Sequence, residues 1–318
     1  MKPPYEITGK ILKLVSEISE KIGLINANFL DKPSPKLRKQ NKIQTIHNSL
    51  KIEGNTLTES QITALVEKKR VIGPQKDIIE VLNTIELYDN LDKLNPYSEK
   101  SFLEGHKILM KGLIASPGKY RKQGVGIAKG NKIKHITPPY ENIPYLMKDL
   151  FSYLQKDDEL SLIRSCVFHY EVEFIHPFMD GNGRMGRLWQ TLILKEKYPV
   201  FEYTPFETLI SKFQSDYYKI LSICDSQGKS TVFIEFLLDI LNKSLEEILK
   251  HSRKRLNQSE RLEYFLRLEG KDFTRKDYMK IFKNISSATA SRDLIEGVKS
   301  GIFKKDGEKN KTRYKKIK

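Results

Sequence analysis

His176-Pro177-Phe178-Met179-Asp180-Gly181-Asn182-Gly183-Arg184-Met185-Gly186-Arg187 decides how this chain of 318 residues is read. Apolar residues follow the 3.6-residue period from Leu160 to Ile175, and again from Asn182 to Lys197, which predicts a helix on each side. Pro177 cannot continue the first helix and disfavours a helical residue before it, so that helix must end near His176. Gly181 and Gly183 let the backbone turn sharply and come close to a ligand. The stretch is therefore helix, tight loop, helix, with an imidazole held at a rigid helix end.

The same residues suit an anion. Unpaired N–H groups at the start of the second helix, together with its dipole, form an anion site. Arg184 and Arg187 are three residues apart and emerge on one face of that helix. Two guanidinium forks beside such a site favour a polyphosphate over a single carboxylate. Asp180 suits a Mg²⁺ that itself bridges phosphates. His176 is the side-chain type best matched to general-base work near neutral pH. Taken singly, each part has an ordinary explanation: a histidine cap, a solvated arginine pair, an Asp-Gly turn. Their uninterrupted combination points to nucleotide phosphoryl or nucleotidyl transfer.

Working outward, the helical period covers Ile7 to Leu30, Ile43 to Glu53 (closed by Gly54), Asp77 to Leu94, Ser98 to about Leu113 and Ile143 to Leu154. Thr58-Glu59-Ser60-Gln61 has the form of a capping box, and Ser98 can cap the helix behind it. The least helical part is Gly118 to Pro139. There Val125-Gly126-Ile127 and Ile133-Lys134-His135-Ile136 flank Lys129-Gly130-Asn131-Lys132, which predicts a β-hairpin. Such a hairpin, carrying Ile127 and Ile133, can align a target segment by strand addition. Helices resume to Lys250, and His251 to Gln258 reads as a polar linker. Beyond it come a helix from Ser259 to Leu268, a second capped by Thr274, a third opened by Ser286 or Ser287, and a hairpin around Ile302–Gly307 and Thr312–Tyr314. That order is the order of a winged helix-turn-helix. Ser287, Ser291 and Arg292 would face a groove, with Lys304, Lys305 and Arg313 on the wing. A basic module for protein contact has the same signature. The expected organisation is an N-terminal helical region over 1–95, a catalytic helical core with its following helices over 96–250, and the winged helix over 251–318.

At 39% hydrophobic and 30% charged residues the chain reads as a soluble globular protein. No stretch approaches the roughly 18 apolar residues of a membrane span, and no signal-type apolar run follows Met1, so a cytoplasmic protein with no membrane partner is expected. Cys166 and Cys224 read as reduced core cysteines. The net charge of +16 is uneven: residues 251–318 hold 20 Lys and Arg against 9 Asp and Glu, a net +11, which leaves +5 for the rest. This favours a polyanion such as duplex DNA as a partner of 251–318, or a well-solvated surface. His169, Glu173 and His176 have helical spacing, but His169 and His176 lie farther apart than the i, i+4 pair of a helical zinc site. His135 on the hairpin reads as a polar surface residue, and His47, His106 and His251 carry no readable context.

The loop resembles the signature of the Fic family, His-Pro-Phe-x-Asp-Gly-Asn-Gly-Arg-x-x-Arg, at every fixed position. The resemblance runs from about Lys10 to Tyr203 and includes Phe174-Ile175 and the hairpin at about 125–136. It implies a mainly α fold, with a Fic-type helical core and a hairpin flap. It also implies a protein adenylyltransferase that moves AMP from ATP to a Ser, Thr or Tyr hydroxyl of a protein, self-modification included. By the same resemblance His176 is the base, Asp180 binds Mg²⁺, and Gly181, Asn182 and Gly183 wrap the α- and β-phosphates. Arg184 then takes the β- or γ-phosphate and Arg187 the γ-phosphate, while Phe178 anchors the loop in the core.

Ser49-Leu50-Lys51-Ile52-Glu53-Gly54 ends an early helix, where the dipole disfavours the Glu53 charge and a cationic partner would relieve it. The segment resembles the same family's inhibitory motif, Ser/Thr-x-x-x-Glu-Gly/Asn. That implies autoinhibition, with Glu53 paired to Arg187 in the γ-phosphate position and Ser49 one turn earlier on the same face. Two further readings stay open: a hydrolase that removes AMP, and a DNA-binding regulator whose core modifies itself or a bound partner. A homodimer is also compatible with the sequence.

Overall fold

The structure, a computed structural model, describes residues 2–28, 35–129, 132–156, 159–252, 258–267, 272–282, 285–307 and 312–317. The chain divides into two compact units, Met1–Leu249 and Lys250–Lys318. The first holds helices α1 (Gly9–Asn28), α2 (Pro35–Ile52), α3 (Glu59–Val66), α4 (Gln75–Asp89) and α5 (Glu99–Leu109). A hairpin of β1 (Gly126–Lys129) and β2 (Lys132–Ile136) follows. Then come α6 (Ile143–Gln155), α7 (Ser161–Ile175), α8 (Asn182–Lys197), α9 (Glu207–Lys212), α10 (Gln214–Gln227) and α11 (Thr231–Ser252).

The pair α7 and α8 lies at the centre. Almost every residue of α7 is buried, and its buried polar side chains Arg164 and His169 find partners inside the unit. The neighbouring α6 is amphipathic and buries Ile143, Met147, Leu150, Phe151 and Leu154 on one stripe. Phe102 of α5 is the hub beneath the loop. Its ring meets Phe151, Phe168, Phe178 and Trp189 at centroid distances of 5.0–5.9 Å, and each such pair adds about 0.5–1.5 kcal/mol beyond area burial. Trp189 also donates its indole N–H to the Pro96 carbonyl at 2.8 Å.

Residues 1–95 do not stand apart. Ile11, Ile18 and Ile25 of α1 share one apolar core with α7, α8 and α11, and Thr8 donates to Glu235 of α11 at 2.7 Å. Helices α2 to α4 add a smaller cluster built on Ile43, Ile46, Leu50, Leu57, Ile62 and Val81. The boundary expected near residue 95 therefore separates no compact units.

Local chemistry sets the element ends. Thr58 and Gln61 form a reciprocal capping box, and the Ser98 hydroxyl accepts from the Ser101 N–H. Helix α2 begins at Pro35, eight residues before the apolar period does, because Pro at the first helical position needs no N–H partner. Helix α5 stops at Leu109, short of the expected Leu113. In the hairpin Gly126 pairs with Ile136 and Lys129 with Lys132, with a bulge between Ile127 and Ala128. The Gly130-Asn131 turn, and the side chains of Ile127, Ile133 and His135, lie outside the described residues. Among the described residues no helix is long and apolar enough to cross a membrane.

The second unit runs α12 (Gln258–Arg267), β3 (Asp272–Phe273), α13 (Arg275–Ile281), α14 (Ser287–Lys299), β4 (Phe303–Asp306) and β5 (Arg313–Lys316). The expected linker at 251–258 lies mostly outside the described residues. Two-residue β3 was not legible, being too short to show a period. It pairs antiparallel with β5, giving a sheet of order β3-β5-β4. Thr274 and Asp277 form a second capping box, and Ser286 caps α14. Phe265, Phe273, Tyr278, Leu294 and Phe303 make the core. Within it the Asp293 carboxylate accepts two hydrogen bonds from Arg261, at 2.6 and 2.9 Å, and one from the Tyr278 hydroxyl at 3.1 Å. Removing one partner of a buried pair strands the other charge, at a cost of about 3–5 kcal/mol. Asp293→Ala should therefore destabilise 250–318 by about that amount in a denaturant melt of the full chain followed by circular dichroism. A loss below about 1 kcal/mol would show that the pair is dispensable.

Candidate functional site

Helix α7 ends where Pro177 forbids its continuation. The last bond runs from the His176 N–H to the Val172 carbonyl at 3.0 Å, and His176 is left-handed, with φ 49° and ψ 60°. A non-glycine residue held there stores about 1–3 kcal/mol and needs surroundings that fix it. Those surroundings include Arg121, whose Nε donates to the His176 carbonyl at 2.8 Å and whose own N–H donates to the Pro177 carbonyl at 2.9 Å.

The loop is tied at both ends. Phe178 is wholly buried. Its N–H donates to Asn182 Oδ1 and its carbonyl accepts from Asn182 Nδ2, both at 2.9 Å. The Asn182 side chain is thus committed to the loop, and what it offers an anion is its backbone N–H. The Phe178 ring stacks on His106 at 3.5 Å and 5°. His106 Nδ1 accepts the Gly118 N–H at 2.9 Å, so Nε2 carries the proton and donates to the Asp180 carbonyl, also at 2.9 Å. Burial lowers the His106 pKa to about 4, against the pull of the Asp180 carbonyl, and a neutral ring is what this bonding pattern requires.

Gly181 opens α8 with φ 88°, and a Cβ there would lie 2.9 Å from Met110 Sδ. No side chain caps this helix end, so its first N–H groups are left open to an acceptor from outside the helix. Glu53 stands over them: a Cβ on Gly183 would lie 2.5 Å from Glu53 Oε1. Arg187, which has no exposed surface, donates through Nη2 to Glu53 Oε1 at 2.8 Å and to the Ser49 carbonyl at 2.9 Å, and through Nε to Ser49 Oγ at 3.1 Å. Burial opposes the Arg187 charge, but Glu53, Tyr217 and Glu173 together more than offset it, so its pKa moves up. The structure therefore brings Ser49 and Glu53 of the α2 end against Arg187 of α8.

Arg184 is also buried. Its Nη2 donates to Asp180 Oδ1 at 2.8 Å, and its Nη1 lies 3.3 Å from Glu80 Oε1 of α4. Asn55, two residues after Glu53, donates to Glu80 Oε2 at 2.9 Å. Asp180 Oδ1 accepts the Gly181 N–H as well, at 2.6 Å, and the carboxylate is half exposed. Among the described residues no three His, Cys, Asp or Glu side chains gather as a metal site. A single half-exposed carboxylate beside two guanidinium groups and an uncapped helix start has the chemistry to hold a Mg²⁺ that keeps most of its waters. His169 faces Gln190 at 2.8 Å and Tyr217 at 3.0 Å, and the Tyr217 hydroxyl donates to Glu173 at 2.8 Å.

Sequence reading located His176, Asp180, Gly181, Asn182, Gly183, Arg184, Arg187, Ser49 and Glu53, and the structure places all of them around the start of α8. It missed His106, Arg121, Glu80 and Asn55, which hold those residues from distant elements. Only Asn55, next to Gly54, stood beside a motif.

The Fic/DOC family matches residues 96–194. The chain is 38% identical to a Fic family protein from Desulfovibrio desulfuricans G20, covering 100% of this chain and 98% of that one with a TM-score of 0.78. It is 29% identical over 258 residues to the protein adenylyltransferase Fic of Nematostella vectensis (77% of this chain, 57% of that protein). It is 26% identical over 226 residues to the protein of the same name from Drosophila grimshawi (66% and 43%). The chain thus spans about half the length of these curated relatives.

Behind Arg187, Glu207 opens α9 and is wholly buried. Burial raises its pKa to about 8, against smaller downward pulls from Arg187 and Thr45. The folded state therefore prefers the neutral acid. Its contribution to stability is complete below the unfolded carboxyl pKa of about 4.3 and is lost as pH rises through about 8. Glu207→Gln should narrow the fall in melting temperature between pH 5 and pH 9. An equal fall in both proteins would show that Glu207 does not titrate in this way.

Proposed function

The chain belongs to the Fic family, and from that premise we propose that it is an autoinhibited protein adenylyltransferase. One observation carries the reading: a carboxylate of the chain itself, Glu53, sits in the anion site made by Arg187 and the start of α8. A buried arginine at a helix N-terminus is built for a multiply charged anion, and in this state the protein fills the place.

In the proposed reaction Gly181, Asn182 and Gly183 wrap the α- and β-phosphates of ATP, with Asn182 and Gly183 offering their backbone N–H groups while the Gly181 N–H stays on Asp180. Arg184 takes the β- or γ-phosphate and Arg187 the γ-phosphate. His176, fixed at the end of α7, takes the proton of a Ser, Thr or Tyr hydroxyl. The hydroxyl oxygen bonds to the α-phosphorus as the bond to the bridging oxygen breaks, and pyrophosphate leaves. The charge growing on that leaving group is what the two guanidinium groups stabilise. Mg²⁺ held by Asp180 would supply further charge neutralisation for the phosphates. While Glu53 occupies Arg187, the γ-phosphate is displaced and the α-phosphorus is not in line with the target. The hairpin aligns the target segment by strand addition. Residues on the protein itself are among the targets.

Glu53→Gly, given Mg²⁺ and ATP labelled at the α-phosphate, should raise covalent labelling by about tenfold or more, since about 1.4 kcal/mol of relieved competition is a factor of ten. His176→Ala in that background should remove it by about 10²–10⁴-fold. Label from the γ-phosphate instead would mean a kinase-like reaction and would overturn the assignment.

We further read 250–318 as a winged helix that binds duplex DNA. Its helix order supports this, as do the exposed Lys304, Lys305 and Arg313. Binding to a duplex should weaken steeply between about 50 and 200 mM salt. No binding even at low salt would leave protein contact as the role of this unit.

A further inference from the structure

Arg121 is 3% exposed, yet among the described residues its hydrogen bonds go to main-chain carbonyls. Nε donates to His176 O at 2.8 Å. Nη2 donates to Pro138 O at 2.7 Å and, more weakly, to Ile175 O at 3.5 Å. Nη1 donates to Gln123 O at 2.8 Å. The Arg121 N–H completes the set on Pro177 O at 2.9 Å. Of the four carbonyls that the guanidinium meets, His176 and Ile175 close the C-terminal end of α7, where a cation is favoured by the helix dipole. The other two, Gln123 and Pro138, lie just outside β1 and β2, on the two stems of the hairpin. The stems are also joined directly, by the Thr137 hydroxyl donating to the Val125 carbonyl at 2.7 Å. One planar guanidinium therefore stands where the hairpin meets the His176 turn. Lysine, with a single nitrogen, cannot span both sets of carbonyls.

We propose that Arg121 is a positioning residue that sets the hairpin and His176 in one fixed register, so that a target hydroxyl laid along the hairpin arrives at the height of the imidazole. This rests on the reading of His176 as the base and the hairpin as the target platform. Arg121 lies apart from the nucleotide contacts, which come from α8. Its loss therefore acts on proton transfer and target alignment and leaves ATP binding in place.

The test uses the full chain in the Glu53→Gly background, with Arg121→Lys and, separately, His176→Ala. Three quantities are read: covalent label from α-labelled ATP with Mg²⁺, ATP affinity by calorimetry, and hydrogen exchange of amides in 122–137 and 176–179. Arg121→Lys should cut the labelling rate by about 100-fold, the scale of a misplaced catalytic group. ATP affinity should stay within about twofold, and exchange should rise in both segments together. Unchanged labelling, a matching loss of ATP affinity, or loosening of one segment alone would overturn the proposal. His176→Ala should abolish label without loosening the hairpin; if label persists there, the base assignment fails, while the exchange result still decides the clamp. If Arg121→Lys does not fold, the unsubstituted protein decides it. The amides of Gln123, Thr137 and Phe178 should then share one opening free energy, and protection differing by more than about tenfold between the hairpin stems and Phe178 would refute the clamp.

Discussion

A guanidinium with no exposed surface must be neutralised where it stands, and Arg187 sets this condition for the rest of the site. Left alone, such a charge would cost several kcal/mol. The end of α2 is shaped to meet it, with the Ser49 hydroxyl and carbonyl on one side and the Glu53 carboxylate on the other. The position of α2 follows, since Leu50 and Ile52 beside these residues are buried. On the proposed reading, nucleotide and inhibitor are alternative answers to one electrostatic demand. Removing Glu53 would leave Arg187 its two bonds to Ser49 and no carboxylate bonded to it.

Arg184 repeats the arrangement with different residues. Asp180 and Glu80 flank it, and Asn55 fastens Glu80 from the segment that also carries Glu53. The stretch from Ser49 to Asn55 therefore reaches both arginines, one directly and one through a relay on α4. Helix α8 buries Asn182, Arg184, Arg187, Gln190 and Thr191, and Arg187 and Gln190 meet side chains of other elements, Glu53 and His169.

The loop was legible because its conformation is forced by residue type: Pro177 stops one helix, Gly181 takes a backbone angle other residues avoid, and the next helix starts at once. The capping residues Thr58, Ser98 and Thr274 were legible for the same reason, since each acts within three residues of itself. His106, Arg121 and Glu80 act across 74, 55 and 104 positions, and a polar side chain in an amphipathic pattern does not announce a distant carbonyl or guanidinium. The start of α2 was hidden because a polar first half shows no period, and β3 because two residues cannot show one. Helix α1 buries its apolar stripe in a core shared with α11, near the far end of the same unit, a pairing that a pass along the chain could not foresee.

Trp189 stands two residues beyond Arg187 and is the one tryptophan of the chain. Fully buried against Phe102, with its indole N–H bound to Pro96, it is an intrinsic fluorophore in an apolar setting, and the basic C-terminal unit holds no other to obscure it. On the proposed reading, Glu53 gives way to phosphate on Arg187, two residues before that ring. The emission of the unlabelled protein is then the place to look for that exchange, with no label added.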